Sequence, residues 1–517
     1  MILDIAAKRA VITPDRPALL WEGRWLSYRE LNDRAERLAG ALLGAGVGKG
    51  DRVALLAHNH IAHIDTLLAT AKTGAVYTPL NVRLSEREQR ELADYLRPAL
   101  VMHDADNADK ASATGSRAWD LSGHEARLGD ADLPQLPDPD LTPDDVQMIL
   151  LTGGTTGLPK GAMLPYRQAF YNAVNTVMSW GLRQEDCVIQ ATPCYHAALN
   201  AFTVPLLHLG ARVALQRTFD PAEYLKLVED ATATILFLVP TMFQMLASQE
   251  RFTSADLTGV RWAISGGAPC PEPVRETLRR RGVKVRQGYG LTEAGVNCFT
   301  TTQEVADRKP DTVGRPMLHG EAVVRRPDGA PTEPNETGEL TIRGPHVFLG
   351  YFERPEATRE ALRDGWLWTG DLAVMDDDGD FAIVGRRKEM FISGGENVYP
   401  VEVEAAIYDH QAVAECAVAG VADERWGEVG VAGVVLREGH ELTAEGLREF
   451  LSVRLARYKV PKHVVFLEAL PKSAAGKILK QDLPRLAGYP AAKAGTNAQA
   501  TGDGGDRASG RGGGAMS

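Results

Sequence analysis

Cysteine is scarce in this chain. Five cysteines stand at positions 187, 194, 270, 298 and 416 of 517 residues, and no two form a C-x-x-C pair. Neither a zinc-ribbon site nor a dithiol redox motif is therefore expected, and the scattered thiols read as reduced cysteines of a cytoplasmic protein. Long apolar runs are missing too. No segment reaches the ~18 apolar residues that a membrane span needs. The opening MILDIAAKRAVITPDRP lacks a cationic start followed by an apolar core, so no signal segment is expected. Positive charge is not in excess: Lys and Arg number 57 against 68 Asp and Glu, a net charge of −11. That balance argues against nucleic acid or an anionic membrane as partner, since both call for a basic face. It does not weigh against ATP, because local glycines and lysines can build a phosphate site. No internal repeat is present.

What is there has the composition of an ordinary globular protein, at a length that suits two to four domains. Ser27 and Glu30 form a capping-box pattern opening a helix to Gly44, and Ser85 and Glu88 open another. Strand-like runs at Arg52–Ala57, Val76–Leu80 and Ala99–His103 alternate with helical segments such as Ile61–Thr73. The rhythm returns at Val188–Thr192, Arg212–Gln216, Thr234–Val239 and Val260–Ser265. Strands alternating with helices predict βαβ units and parallel-rich sheets, an α/β fold. From about 320 to 386, strand-like runs broken by turn clusters predict a β-rich antiparallel subdomain. The run Asp376-Asp377-Asp378-Gly379-Asp380 reads as a solvated turn there rather than a metal site. A large domain over 1–386 is expected, then a small α+β domain over 387–486. The Ala-, Gly- and Ser-rich stretch 487–517 has too little apolar surface to order itself and is expected to be disordered.

Five segments carry chemistry. The first, Thr152-Gly153-Gly154-Thr155-Thr156-Gly157-Leu158-Pro159-Lys160-Gly161, follows an apolar run. Glycines let a backbone approach phosphate oxygens, threonine hydroxyls add donors and Lys160 adds charge. Its spacing is not that of a GxxxxGK[ST] loop. Gly44 to Gly50 is glycine-rich as well, but it precedes a strand and reads as a helix end and turn. The second is Gln287-Gly288-Tyr289-Gly290-Leu291-Thr292-Glu293. It offers a flat ring for a purine, a hydroxyl for a phosphate and a hard carboxylate ligand for Mg²⁺. The third, Trp368-Thr369-Gly370-Asp371, puts a carboxylate at a tight turn, where it can accept from two ribose hydroxyls. The fourth runs from Gly385 to Pro400, where composition changes. The fifth, Pro471-Lys472-Ser473-Ala474-Ala475-Gly476-Lys477, carries a lysine on a glycine-hinged loop.

In this order the five segments resemble those of the adenylate-forming, AMP-binding superfamily, in particular its acyl-CoA synthetases, over about residues 10–485. The resemblance implies an acid–thiol ligase that uses ATP, Mg²⁺ and coenzyme A. It implies that Thr152, Gly153, Gly154, Thr155, Thr156, Gly157 and Lys160 hold the β- and γ-phosphates. Tyr289, with Gly267, Ala268 and Pro269, would take adenine. Thr292 would contact the α-phosphate, Glu293 the magnesium, and Asp371 and Arg386 the ribose. Lys388 matches the hinge about which the small domain turns, and Lys477 the lysine that bridges substrate carboxylate and α-phosphate. Ser393, Gly394, Gly395 and Glu396 would replace Lys477 and line a thiol tunnel. His196 matches a position beside the acyl site; Ala198, nearby, stands where many family members have glycine. Tyr195, Asn200, Val239, Met242, Gly266, Gly288 and Val296 match the acyl pocket, where Gly288 and Gly290 would leave room. With no obvious Arg or Lys among those positions, a monocarboxylate is expected. A medium- or long-chain fatty acid, and hence lipid metabolism, comes first. An aryl acid of the coumarate or ferulate kind, or succinylbenzoate, is the alternative. An inactive ligand-binding scaffold is the rival from another class, opposed by the intact Lys477, Glu293, Thr292 and Asp371. A monomer or homodimer is expected.

Overall fold

In the computed structural model, residues 3–129, 133–153, 158–472 and 478–489 are described. The expected helix signals act as read. Ser27 Oγ accepts from the Glu30 amide at 3.2 Å, and Glu30 Oε2 accepts from the Ser27 amide at 2.7 Å, closing the capping box of Tyr28–Gly44. Leu31, Ala35, Leu38 and Leu42 of that helix recur at helical spacing and are buried. The helix packs on Ile61–Thr73, which is apolar on nearly all sides and runs through the core. After Gly44 the chain turns through Gly46 at φ +80°, as the glycine cluster there predicts.

Two sheets are mainly parallel. One runs Val285–Gln287, Trp262–Ser265, Ile235–Leu238, Cys187–Gln190, Arg212–Leu215, Pro17–Trp21 and Arg24–Ser27, and only its last pair is antiparallel. The other runs Gly350–Tyr351, Lys160–Pro165, Val146–Thr152, Val76–Pro79, Arg52–Leu56, Leu100–His103 and Ala118–Asp120. Its first three strands form an antiparallel edge on a parallel body. A third, antiparallel sheet contains Thr312–Pro316, Phe381–Arg386, Trp366–Met375, Gly338–Arg343 and Glu321–Arg325. The α/β fold with its β-rich portion is thus borne out. The strand before the second of the five segments is Val285–Gln287, and the Val283 amide ahead of it donates to Leu278 O and closes the preceding helix.

The chain leaves the third sheet at Arg386 and enters a fourth at Phe391, by a turn in which the Glu389 and Met390 amides donate to Arg386 O. The fourth sheet centres on the antiparallel pair Val413–Asp423 and Gly427–Leu436 and has its own apolar core around Val403, Ile407 and Leu447. Gln244 Nε2, from the helix Pro240–Ala247, donates to Ala414 O at 3.0 Å and joins this unit to the first sheet's layer. Ala487–Tyr489 belong to the folded unit: Tyr489 stacks on His463 at 4.3 Å and bonds its Nδ1 at 2.9 Å. The remainder of the tail expected to be disordered lies outside the described residues. The aspartate run is the turn between Trp366–Met375 and Phe381–Arg386. Asp376, Asp378 and Asp380 surround the Lys309 ammonium at 2.5, 2.7 and 2.8 Å, so a side chain occupies the place a cation would take. Among the described residues no helix is long and apolar enough to cross a membrane.

Candidate functional site

Strand register builds the first half of the site. In the hairpin of Trp366–Met375 with Phe381–Arg386, Asp371 lies opposite Arg386. Arg386 Nε stands 3.1 Å from Asp371 Oδ1, while the Tyr289 hydroxyl donates to Asp371 Oδ2 at 2.6 Å. Gly370 takes φ +73°, and its amide donates to Glu339 Oε1 at 3.0 Å. The other oxygen of Glu339 pairs with Arg387 at 3.2 Å. Glu339 therefore fixes both the Asp371 turn and the residue just before Lys388. Burial, and then the Asp371 charge, raise the Tyr289 phenol well above its ordinary pKa, so it remains a neutral donor. Its ring meets Phe299 edge-on at 5.7 Å, and Phe299 packs in turn on Phe381.

The second half lies on the antiparallel edge of the second sheet. Thr152 pairs with Lys160, so the two ends of the glycine- and threonine-rich segment lie side by side on antiparallel strands. Thr152 and Lys160 flank it; Gly154, Thr155, Thr156 and Gly157 lie outside the described residues, and Gly153 is exposed. Glu293 sits on the short turn Thr292–Ala294. Gln168 Nε2 donates to Thr292 O at 3.0 Å, and the Phe348 amide to Glu293 O at 2.8 Å. The Tyr351 hydroxyl donates to Glu293 Oε1 at 2.9 Å. Burial raises the Glu293 pKa, against hydrogen bonds from Tyr351 and Thr152 and the positive charge of Arg386. One carboxylate is thus reached from the Thr152–Lys160 hairpin and from the Asp371–Arg386 pair. Among the described residues no ion pair neutralises it. A buried carboxylate without a direct ion-pair partner is costly, and a hard divalent cation meets that need.

Residues 6–352 match the family described as AMP-binding enzyme, and residues 402–477 match its C-terminal domain. The chain belongs to the AMP-binding enzyme family. It is 41% identical over 484 residues to a feruloyl-CoA synthase of Amycolatopsis sp, covering 93% of this chain and 98% of that one. It is 38% identical over 495 residues to the indoleacetate–CoA ligase of Aromatoleum aromaticum, with 93% and 96% covered. The o-succinylbenzoate CoA synthetase of Bacillus subtilis, solved with its acyl-adenylate intermediate, superposes with a TM-score of 0.85 at 30% identity, covering 93% of this chain and 97% of that one. The same enzyme has been solved with ATP and a magnesium ion. The expected adenylate-forming resemblance is borne out, and the acid–thiol ligase class with it.

Other expected site residues of this AMP-binding enzyme are placed as follows. His196 is held neutral by burial, its pKa lowered to about 4, with Arg83 adding to the effect. Its Nε2 is buried with no hydrogen-bond partner among the described residues. An orphaned ring nitrogen there can meet a polar group of a bound acid. Tyr195, Asn200 and Met242 are buried, while Val239 and Val296 are half-buried. Gly267, Ala268 and Pro269 are exposed past the end of Trp262–Ser265, with Gly267 at φ +81°. Lys388 is exposed, and desolvation first, then Arg386, with Lys160 further down, lowers its pKa. Lys388 is therefore within electrostatic reach of Arg386 and of Lys160, one from each half of the site. Ser393 to Glu396 form a two-residue hairpin turn, Gly394 at φ +62° and Gly395 at φ +90°. The Gly394 amide donates to Trp426 O at 2.9 Å. No hydrogen bond or ion pair among the described residues joins this turn to the Asp371–Glu293 cluster. Lys477 lies outside the described residues. The base of its loop is closed by the Lys472–Ile478 pair and by the Leu479 amide on Pro471 O at 2.8 Å.

One expectation needs correction. Gly290 does not leave pocket room: a Cβ there would stand 2.0 Å from Val296 O, and one at Gly288 would stand 2.8 Å from Ile264 Cδ1. These glycines let two chain segments cross. Tyr351, Glu339 and Gln168 escape a reading by motif. A glutamate at an inward position of an apolar strand, in Gly338-Glu339-Leu340, is the one signal that flags any of them.

Proposed function

We propose that this enzyme is an ATP-dependent CoA ligase whose acid is aromatic, a phenylpropenoate of the ferulate kind or an arylacetate. The observation that carries the reading is the double clamp. Tyr289 and Arg386 converge on Asp371, and Tyr351 and Thr152 converge on Glu293, with Arg386 acting on both. The relatives named above act, by name, on aromatic acids; this supports the aryl alternative over a fatty acid.

In the first half-reaction the substrate carboxylate attacks the α-phosphorus of ATP and pyrophosphate leaves, giving an acyl-adenylate. Asp371 accepts from the ribose hydroxyls and Arg386 balances its charge. Tyr289 presents its ring to adenine beside Gly267, Ala268 and Pro269. The Thr152–Lys160 hairpin holds the departing phosphates, and Thr292 contacts the α-phosphate. Glu293 would hold Mg²⁺, which supplies positive charge against the developing negative charge on phosphate oxygens. Lys477 bridges the carboxylate and the α-phosphate, and neutral His196 borders the acyl group. The unit over 387–486 then turns against 1–386 at Lys388, and the Ser393–Glu396 turn replaces Lys477. The thiol of coenzyme A attacks the acyl carbonyl and AMP departs. Positioning and charge complementarity, rather than covalent catalysis, carry both steps.

AMP release with CoA, measured across ferulate, indoleacetate, o-succinylbenzoate and C8–C18 fatty acids, tests the reading. Release that depends on CoA and is highest with ferulate or indoleacetate is expected. A maximum with fatty acids would overturn the aryl assignment, and absence of ATP–pyrophosphate exchange with every acid would overturn the ligase itself.

One observation favours a second reading, succinylbenzoate. The positive charge of Arg83 acts on both Tyr195 and His196, so a cation lies within electrostatic reach of the acyl positions. An acid with a second carboxylate would use it. Arg83→Ala would then lower kcat/KM for succinylbenzoate about 10-fold or more while leaving ferulate unchanged. Equal loss for both acids would remove this second reading.

A further inference from the structure

Tyr351 touches both a proposed metal ligand and a proposed phosphate ligand, and the chain around it is fixed more firmly than a surface strand requires. Gly350–Tyr351 is the edge strand beside Lys160–Pro165, with Gly350 opposite Met163 and Tyr351 opposite Ala162. The Leu349 amide donates to Met163 O at 3.0 Å and the Phe352 amide to Gly161 O at 2.7 Å. The Tyr351 amide donates to Thr358 Oγ1 at 2.9 Å. Gly350 takes φ +132°, and a Cβ there would stand 2.5 Å from Thr358 Cγ2, so the strand is seated where only glycine fits. The Tyr95 hydroxyl donates to Phe352 O. From this base the Tyr351 hydroxyl reaches Glu293 Oε1 at 2.9 Å. The Lys160 ammonium lies 5.0 Å from the centroid of the same ring, within cation–π range. The segment holds Glu293 a second time, through the Phe348 amide on Glu293 O, and the Phe348 and Tyr351 rings meet edge-on at 5.0 Å.

We propose that Tyr351 is a positioning residue that sets the Glu293 carboxylate and the Lys160 ammonium at a fixed separation, the first through its hydroxyl and the second through its ring. The inference rests on the roles given above to Glu293 and Lys160. Its physical content is division of labour within one side chain. The hydroxyl fixes one oxygen of Glu293, with Thr152 as a second neutral donor to the carboxylate, so that its orientation toward a cation is set, as outer partners of metal ligands do. The ring face restrains a flexible lysine stem that would otherwise lose rotamer freedom on meeting a phosphate.

Two binding measurements separate the two contacts without turnover. Mn²⁺ binding is read by electron paramagnetic resonance with α,β-methylene-ATP present. Binding of that analogue is read by calorimetry in EDTA, where metal plays no part. Tyr351→Phe keeps the ring, so Mn²⁺ affinity is expected to fall about 10-fold or more while metal-free analogue affinity holds. Tyr351→Leu removes both contacts, so Mn²⁺ affinity falls likewise and metal-free affinity falls roughly threefold. Thermal melting of both variants reports folding. Wild-type Mn²⁺ affinity in a folded Tyr351→Phe, or equal loss of both affinities in the two variants, would overturn the proposal. Glu293→Gln is the control. If it too bound Mn²⁺ as wild type, the metal role of Glu293 itself would fall. Weakened binding in Glu293→Gln with unchanged Tyr351→Phe would remove only the role of Tyr351.

Discussion

In the mechanism proposed above two side chains carry most of the chemical weight, and they fail differently. Asp371 is buried and already answers Arg386 and Tyr289. Asp371→Ala would leave the Arg386 charge unbalanced and remove the ribose acceptor. ATP–pyrophosphate exchange should fall about 10²-fold in kcat/KM, chiefly through a raised KM for ATP. Lys477→Ala should cost adenylation at least ~10²–10³-fold. Thioester formation from a supplied acyl-adenylate should stay near wild type, because Lys477 serves only the first half-reaction in the mechanism proposed above. Equal loss in both half-reactions would contradict the division of labour at Lys388.

At the level of elements, two glycines in neighbouring motifs should behave in opposite ways. A Cβ at Gly290 meets Val296 O at 2.0 Å, a backbone atom that cannot swing aside. Gly290→Ala should destabilise the fold by about 3 kcal/mol or more, read as a lowered melting temperature or loss of soluble protein. Among the described residues, no atom beyond its chain neighbours lies within 4 Å of the Cβ position of Gly153. Gly153→Ala should leave melting within about 1 kcal/mol of wild type. The contrast also marks what sequence can convey. The Ser27–Glu30 cap, the turn at Gly46 and the strand–helix alternation were legible because they depend on neighbours in the chain. Asp371, Arg386, Glu293 and Lys160 were legible because motif order names them. Glu339, Gln168 and Tyr351 were not, because their partners lie far along the chain. Tyr351 is 58 residues from Glu293, and only the pairing of Gly350–Tyr351 with Lys160–Pro165 brings it there. The tight backing of Gly290 was invisible for the same reason.

For the molecule as a whole, buried histidines dictate the acid limb of stability. Burial lowers the pKa of His63 to about 3 and those of His208 and His346 to about 4. Above pH 6.5 all three are neutral in both folded and unfolded chains and cost nothing. As pH falls below 6.5 the unfolded chain takes up protons that the folded one refuses, and the folded state loses ground until about pH 4. At pH 5 the loss should be about 1–2 kcal/mol for each histidine. Urea midpoints at pH 7.5 and pH 5 check this. A midpoint unchanged between them would show that the rings are not shielded from water as described.

The loop that joins the last two strands of the antiparallel sheet carries its own counter-ion. Because the Lys309 amine stands amid Asp376, Asp378 and Asp380, calcium has no vacancy to fill there. Samples dialysed against a chelator and samples given millimolar calcium should melt alike, whereas replacing that amine with methionine should make the loop calcium-responsive.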